Sequence, residues 1–179
     1  MRRSDADDSA SRYLGQQALG CDTPSSSHAV CRLSDAPAAR EFAADANLWE
    51  IVGLCHDLDF FETCENRSQH GLHTIQWLGD KIPAEAQSAI ASHDHRTRVL
   101  ADSLLADALK IADVIAIIDA RLGRRKLRDA NRNDPIAALR IELDDRPYLC
   151  EMLERYTKKH GLSVGSMIDI AAASPLPSR

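Results

Sequence analysis

The sequence predicts an all-α protein, built as a single-domain helical bundle. Apolar residues make up 44% of the 179-residue chain and aromatic residues only 4%. Alanine, leucine and isoleucine must therefore fill most of the core, a composition that favours closely packed helices. Apolar residues also recur at helical spacing, for example at Leu48, Ile51, Val52 and Cys55. No stretch of useful length alternates between apolar and polar residues as a strand would.

The N-terminal part divides into a polar extension, residues 1–27, and the start of a helical domain, residues 28–173. The extension predicts one short helix. The domain opens at His28 with a helix that kinks or restarts at Pro37, because proline cannot continue a helix. Residues 174–179 are rich in proline and serine and predict a flexible tail.

Helices separated by polar breaks are predicted through the middle of the domain. In chain order they cover residues 47–57, a stretch that opens at His70-Gly71, a stretch from Pro83 to about His93, and residues 99–122. The breaks between them are residues 59–68 and 94–97.

The C-terminal third begins where Gly123 ends the long helix. Residues 124–134 are charged and are expected to be exposed. Three further helices are expected over residues 135–143, 147–160 and 163–173, the first two of which begin at prolines.

Composition excludes several classes of function. The net charge is −5, and the strongest basic cluster is short, so nucleic acid is not expected as a partner. No run of about 18 apolar residues is present, so no membrane span is expected. The five cysteines include no Cys-x-x-Cys pair and predict reduced thiols in a cytoplasmic protein. The chain is expected to be a monomer or a homodimer.

Histidine and aspartate side chains lie inside or at the ends of the apolar helices. A buried aspartate is costly unless it is paired or coordinates a metal. Helices that surround one core can direct such groups at a common centre, and this ligand type suits iron, manganese, cobalt, nickel or zinc. The alternative for any one histidine is an ordinary surface or core position. The set is His28, His56, Asp57, His70, His93 and Asp113.

The ordered set resembles the small, single-domain metal-dependent phosphohydrolases of the HD superfamily. The resemblance is carried by His28, by Cys-His-Asp-Leu-Asp-Phe at 55–60 followed by His70-Gly71, and by Ala-Ile-Ala-Ser-His ending at His93. Leu-Lys-Ile-Ala-Asp ending at Asp113 resembles the helix that carries the last ligand. Residues 93–95 read His-Asp-His where this subgroup commonly has an amide after the histidine, so Asp94 or His95 are alternatives to His93.

The resemblance implies an HD-type helical bundle with one or two divalent ions per chain, from the metals above or magnesium. With two ions, Asp57 would bridge them. One half-site would then use His28, His56, Asp57 and Asp113, and the other Asp57, His70 and His93. A divalent cation lowers the pKa of a bound water and polarises a phosphoryl oxygen, which suits the hydrolysis of a phosphate ester.

Catalytic roles are predicted for Asp57, Asp59 and Lys110. Asp59 is expected to act as a general acid or to orient a ligand histidine. Lys110 lies three residues before Asp113 and is expected to bind phosphate. Substrate binding is further predicted for five residues: Arg96, Arg98, Asp94, His95 and His73. The alternative for each is a role on the solvent-exposed surface or in support of a neighbouring residue.

The predicted function is hydrolysis of a phosphate ester on a small phosphorylated metabolite, with a nucleotide favoured. Trp49, Phe60, Phe61 and Trp77 are the aromatic residues nearest the site in sequence. Two alternatives stay open. One is a diiron oxygenase of the same superfamily that cleaves a carbon–carbon or carbon–phosphorus bond, with Lys110 holding an anionic head group. The other is a non-catalytic metal- or ligand-binding domain.

Overall fold

The structure, a computed structural model, describes residues 45–173, and it confirms the all-α prediction. Over this range it contains eight α-helices, three short 3₁₀ turns and no strand. The polar extension, the helix expected at His28 and the C-terminal tail lie outside the described residues. The helices are α1 (Ala46–Cys55), α2 (Leu72–Leu78), α3 (Ala84–Ser92), α4 (Leu104–Leu122), α5 (Arg124–Ala130), α6 (Pro135–Glu142), α7 (Pro147–Lys159) and α8 (Val164–Ala173).

Helix α4 forms the centre of the bundle, and α1, α3, α5, α7 and α8 pack against it. Its side chains are buried along most of its length, including Leu109, Ile115 and Ile118. Each such side chain contributes about 1.5–3 kcal/mol through removal from water. A polar side chain on the buried part of this helix is therefore held at a fixed position in the core.

The predicted start of α4 at residue 99 is wrong, because the helix begins at Leu104. Arg98 has a left-handed backbone with φ of 60°, which interrupts a helix. Ser103 is extended, and its hydroxyl accepts a hydrogen bond from the backbone N–H of Ala106 at 3.1 Å. This N-cap satisfies a donor that the first turn leaves unpaired.

Helix α1 ends at Cys55, two residues before its predicted end, and His56 is its C-cap. Trp49 and Val52 face the core. The chain then continues as consecutive turns, as the irregular pattern of residues 59–68 predicts. Asp59 lies within this region and is completely buried, so this polar segment contributes side chains to the interior.

Most residues of the charged stretch 124–134 are exposed, as expected, but residues 124–130 form a helix that the sequence did not predict, α5. Gly123 has φ of 80°, and this left-handed residue separates α5 from α4. Leu127 is completely buried, and Arg128 donates from Nη2 to the carbonyl of Ala172 at 2.6 Å. The charges occupy one face of a helix whose other face is packed.

The last three helices lie within two residues of their predicted bounds. Pro135 and Pro147 each occupy the first turn of their helix, where the missing N–H costs nothing. Among residues 45–173, no helix combines the length and the apolar character that crossing a bilayer requires.

Candidate metal centre

Four of the predicted ligands come from three separate segments that meet beside α4. His56 follows the last turn of α1, Asp57 is the next residue, His70 precedes α2, and His93 follows the last turn of α3. All four are buried, with exposures between 0% for His56 and 9% for Asp57. The structure therefore brings together residues that are up to 37 positions apart in the sequence.

The three histidine rings share one hydrogen-bonding pattern. Nδ1 of His56 lies 2.9 Å from the carbonyl oxygen of Gly53, and Nδ1 of His93 lies 2.6 Å from that of Ile90. A carbonyl oxygen only accepts, so each Nδ1 carries the proton. Nδ1 of His70 lies 2.7 Å from Oδ1 of Asp59. Each ring is thus fixed in orientation, with Nε2 directed away from its support.

The three Nε2 atoms face the carboxylate of Asp57. Oδ2 of Asp57 lies 3.2 Å from Nε2 of His56, while Oδ1 lies 3.0 Å from Nε2 of His70 and 3.8 Å from that of His93. Nε2 of His70 and Nε2 of His93 are 3.2 Å apart. Two ring nitrogens at this distance require a proton or a cation between them, because two lone pairs repel.

The ionisation of the cluster reflects these contacts. Burial opposes charge on His70, but hydrogen bonds to Asp57 and Asp59 outweigh it and raise the pKa of His70 to about 9. Burial, reinforced by the charges of His56 and His70, lowers the pKa of His93 to about 4. Burial alone would raise the pKa of Asp57, yet its histidine partners hold that pKa well below the usual range. The cluster therefore combines an ionised carboxylate with a neutral His93.

Asp113, the fifth predicted ligand, lies in the middle of α4 on the wall of the same cavity as Asp57, His70 and His93. Burial, followed by the nearby charge of Asp57, raises the pKa of Asp113 to about 6. The charge of Asp113 in turn favours protonation of His56. These effects place Asp113 within electrostatic reach of the histidine cluster.

The buried group His56, Asp57 and His93 could hold a metal ion. Each offers one ligand atom, and these atoms all lie within 4.8 Å of one another. Imidazole nitrogen with a carboxylate oxygen suits borderline divalent ions, and a supported Nδ1–H is the arrangement that metal-binding histidines use. The donor set therefore fits a metal, although it does not identify which one.

Asp59 lies behind His70 and is completely buried. Besides His70, its carboxylate accepts a hydrogen bond from the backbone N–H of Thr74 at 3.1 Å. Thr63 donates to the carbonyl of Asp59 at 2.7 Å. Of the two predicted roles, these contacts match orientation of a ligand histidine, and they direct the carboxylate away from the role of general acid.

Lys110 does not line the cavity beside the cluster among the residues that the structure describes. Its ammonium lies 3.5 Å from Asp107 and 5.1 Å from the centre of the Tyr156 ring. Helical side chains lean toward the helix N-terminus, so Lys110 reaches away from the cavity that begins at Asp113. The structure therefore gives no support to its predicted catalytic and phosphate-binding roles.

Asp107, which is buried, joins Lys110 in a network separate from the histidine cluster. Its carboxylate accepts hydrogen bonds from Lys159 at 2.6 Å and from His160 at 2.9 Å. Burial opposes the charge, but these partners lower the pKa of Asp107 below its ordinary value of 3.8. This network ties α4 to the end of α7.

The turn after α3 carries three of the predicted substrate-binding residues, and all three line the cavity. Asp94 is buried and accepts from Nε of Arg96 at 2.9 Å and from the backbone N–H of Arg96 at 2.8 Å. It therefore positions Arg96. The side chain of His95 is 69% exposed, and His93, not Asp94 or His95, lies in the histidine cluster.

Arg98 and His73 are outside the cavity lining in the described part of the chain. Arg98 is exposed at the left-handed turn. His73 is half-buried, and its ring centre lies 6.2 Å from that of Trp77. The predicted substrate contacts of these two residues gain no support.

The cavity beside the cluster has a volume of about 670 Å³. Sequence reasoning missed four of its polar lining residues: Arg67, Arg121, Arg146 and Tyr148. Only Arg67 carries a local signal, because it lies three residues before His70. The other three reach the cavity through the packing of α7 on α4.

The predicted ligand His28 lies outside the described residues.

No protein-family model, no curated protein and no solved structure matches this chain. Membership of the HD superfamily therefore stays a prediction.

Proposed function

We propose that the chain is a metal-dependent phosphohydrolase of the HD superfamily that acts on a small phosphorylated metabolite. One observation carries the proposal. Three histidine Nε2 atoms converge on the Asp57 carboxylate, and the cavity that this cluster borders also carries arginine side chains. Metal ligands beside guanidinium groups suit the hydrolysis of a phosphate ester, because both neutralise charge on the phosphoryl oxygens.

The residues that would hold the metal are His56, Asp57, His70, His93 and Asp113. A bound divalent cation would supply an activated water and neutralise charge on the phosphoryl oxygens. The two oxygens of Asp57 face different histidines, Oδ2 toward His56 and Oδ1 toward His70 and His93. This division supports a bridging role for Asp57 between two ions.

Arg67 and Arg96 are the groups we propose for binding the phosphate. They lie in two 3₁₀ turns that pack against each other, Arg67–Gln69 and His95–Thr97. Arg96 is held by Asp94, and the Arg67 guanidinium lies 4.0 Å from the centre of the Phe60 ring. Both are thus oriented before substrate arrives, and a guanidinium can bind phosphate through two parallel hydrogen bonds.

The rest of the lining supports an organic group on the substrate. Phe60, Ile117, Tyr148 and Met152 contribute apolar or aromatic surface to the cavity. Its volume of about 670 Å³ lies within the usual range for small-molecule sites. A nucleotide combines a phosphate with a flat ring and suits this lining.

The test is a panel of phosphate esters assayed for phosphate release, with manganese, cobalt, nickel, magnesium, zinc or iron added to chelator-treated protein. We expect release that depends on metal and is lost in Asp57→Ala. Asp80→Ala is the matched control, because Asp80 is exposed on the turn after α2. No metal-dependent release from any ester would overturn the proposal.

A second comparison tests the arginine role. Arg67→Gln should raise KM for the best ester at least tenfold, since a hydrogen bond to a charged group contributes about 1.5–3 kcal/mol. Arg132→Gln is the control, because the Arg132 side chain is 78% exposed and does not line the cavity. Equal KM values for Arg67→Gln and the control would remove Arg67 from the site.

A further inference from the structure

We infer that the end of the cavity opposite the histidine cluster binds a second anionic group of the substrate. We call this end the distal pocket, and its residues are Arg121, Arg146 and Tyr148. The inference rests on the proposed function, because it assigns the first anion to the metal centre. It narrows the substrate class to elongated molecules with an anion at each end.

Helix α4 sets the separation between the two ends. Asp113 and Arg121 both line the cavity from α4 and are eight residues apart. At 1.5 Å per residue, their backbone positions are about 12 Å apart along the helix axis. The lining residues between them are Val114, Ile117 and Ala120. An uncharged floor thus separates a metal centre from a basic end.

Helix α7 provides the opposite wall of the distal pocket. Arg146 is the N-cap residue of α7, and Tyr148 lies in its first turn. Leu149 and Met152 continue the lining along the same helix. Arg146 and Tyr148 are both exposed, so an anion has access to the guanidinium and the phenol hydroxyl.

The charges of the distal pocket leave one cation without a full partner. Nη2 of Arg121 lies 2.5 Å from Oδ2 of Asp145, while Nε of Arg146 lies 3.9 Å from the same oxygen. Two guanidinium groups therefore share one carboxylate. The tight pair fixes Arg121, and the long contact leaves Arg146 able to bind another anion.

Other arginines on the surface show a different arrangement. Nη2 of Arg140 lies 2.8 Å from Oε2 of Glu154 on α7, one cation to one anion, and neither residue lines the cavity. Such exposed pairs contribute about 0–1 kcal/mol to stability. The shared carboxylate and the cavity position distinguish the distal pocket from this background.

The chemistry of the ligand follows from these groups. One phosphate ester lies at the histidine cluster, and the second group, phosphate or carboxylate, lies at Arg146. An uncharged or aromatic middle part contacts Ile117 and Met152. A short monophosphate would reach only the histidine cluster and would not use the distal pocket.

The test uses non-hydrolysable probes and calorimetry, so it does not depend on turnover. The probes are alkyl monophosphonates, alkane bisphosphonates of increasing chain length, and the matching phosphonate–carboxylates, titrated with added metal. We expect affinity to rise with chain length and to reach its maximum once the bisphosphonate spans the uncharged floor between the two ends of the cavity. Arg146→Gln should weaken this bisphosphonate at least tenfold and leave the monophosphonate unchanged. Asp145→Asn should strengthen it, because the competing carboxylate loses its charge.

Controls separate this inference from the proposed function. Arg140→Gln should leave every affinity unchanged, and Arg67→Gln should weaken monophosphonates and bisphosphonates alike. If Arg67→Gln has this effect but Arg146→Gln weakens neither probe, the distal pocket is refuted and the proposed function stands. If no bisphosphonate binds the wild-type protein, the distal pocket is refuted, and the ester panel alone decides the proposed function. The phosphonate–carboxylate series shows which anion the pocket prefers.

Discussion

Replacement of Asp59 by asparagine tests how the metal centre is held in place. The substitution keeps the shape of the side chain but exchanges one carboxylate oxygen for an amide NH₂. The carboxylate accepts hydrogen bonds from Nδ1 of His70 at 2.7 Å and from the backbone N–H of Thr74 at 3.1 Å. An amide cannot accept on its nitrogen, so at least one of these donors is left buried without a partner.

The magnitude follows from that count. One unsatisfied buried donor costs about 1–3 kcal/mol of unfolding free energy. Supports of this kind also change metal affinity by about 10–100-fold, because they fix the ring and raise its basicity. Asp59→Asn should therefore lower the stability by about 1–3 kcal/mol and weaken metal binding about 10–100-fold.

Two measurements check this prediction: urea unfolding of the metal-free protein and a competition titration of metal against a chelator. Asp80→Asn is the control, because Asp80 is exposed and lies on the neighbouring turn. An Asp59→Asn protein that matches the control in both measurements would refute the supporting role. If Asp59→Asn lowers the stability but binds metal as tightly as the control, Asp59 stabilises the fold without supporting metal binding.

Three further predictions concern the core, a turn and a buried charge. Gly71→Ala should lower stability and metal affinity together in the same assays, because its Cβ would lie 2.5 Å from the carbonyl oxygen of Ile90 and 3.2 Å from Cε1 of His93, at a φ of 78°. Leu139→Ala should cost about 2–5 kcal/mol in urea unfolding without changing metal affinity, because this side chain is completely buried away from the cavity. The pKa of Asp107 is lowered in the folded protein, so its stabilisation should be present above pH 3.8 and lost as the pH falls toward the lowered pKa. The free energy of unfolding, measured at several pH values across this range, should therefore depend less on pH in Asp107→Asn than in the wild type.

The sequence was informative where the signal is local. His56-Asp57 directly follows an apolar helical run, and Gly71 directly follows His70. Packing of the apolar faces of α1 and α3 against α4 then brings these side chains together. Hydrophobic periodicity therefore predicted most of the helices, and the ordered His and Asp pattern indicated which side chains belong together.

Local reasoning failed where a side chain's direction or a long-range contact decides the outcome. Lys110 shares a helix face with Asp113, yet its side chain leans toward Asp107 and away from the cavity. Arg146 reaches the cavity only because α7 packs along α4. No spacing in the sequence predicts the approach of Arg146 to the cavity, because α4 and α7 are separated in the chain by α5 and α6.

Local signals also left helix bounds open. The apolar pattern near Val99 continues into α4, but the cap at Ser103 and the left-handed backbone at Arg98 set the actual start. The charged stretch after Gly123 conceals Leu127, a single buried residue that anchors a helix. One apolar residue among charges gives too weak a period to predict α5.

Metal content gives the most direct test of the account. The protein would be purified without chelator or affinity metal, and its metals identified and counted per chain in the wild type, in Asp57→Ala and in Asp80→Ala. We predict one or two divalent ions per chain in the wild type and the Asp80→Ala control, and none in Asp57→Ala. Two irons per chain together with oxygen uptake would favour the diiron oxygenase over the phosphohydrolase as the function of this protein. A wild-type protein that holds no metal even after reconstitution would contradict the metal centre itself.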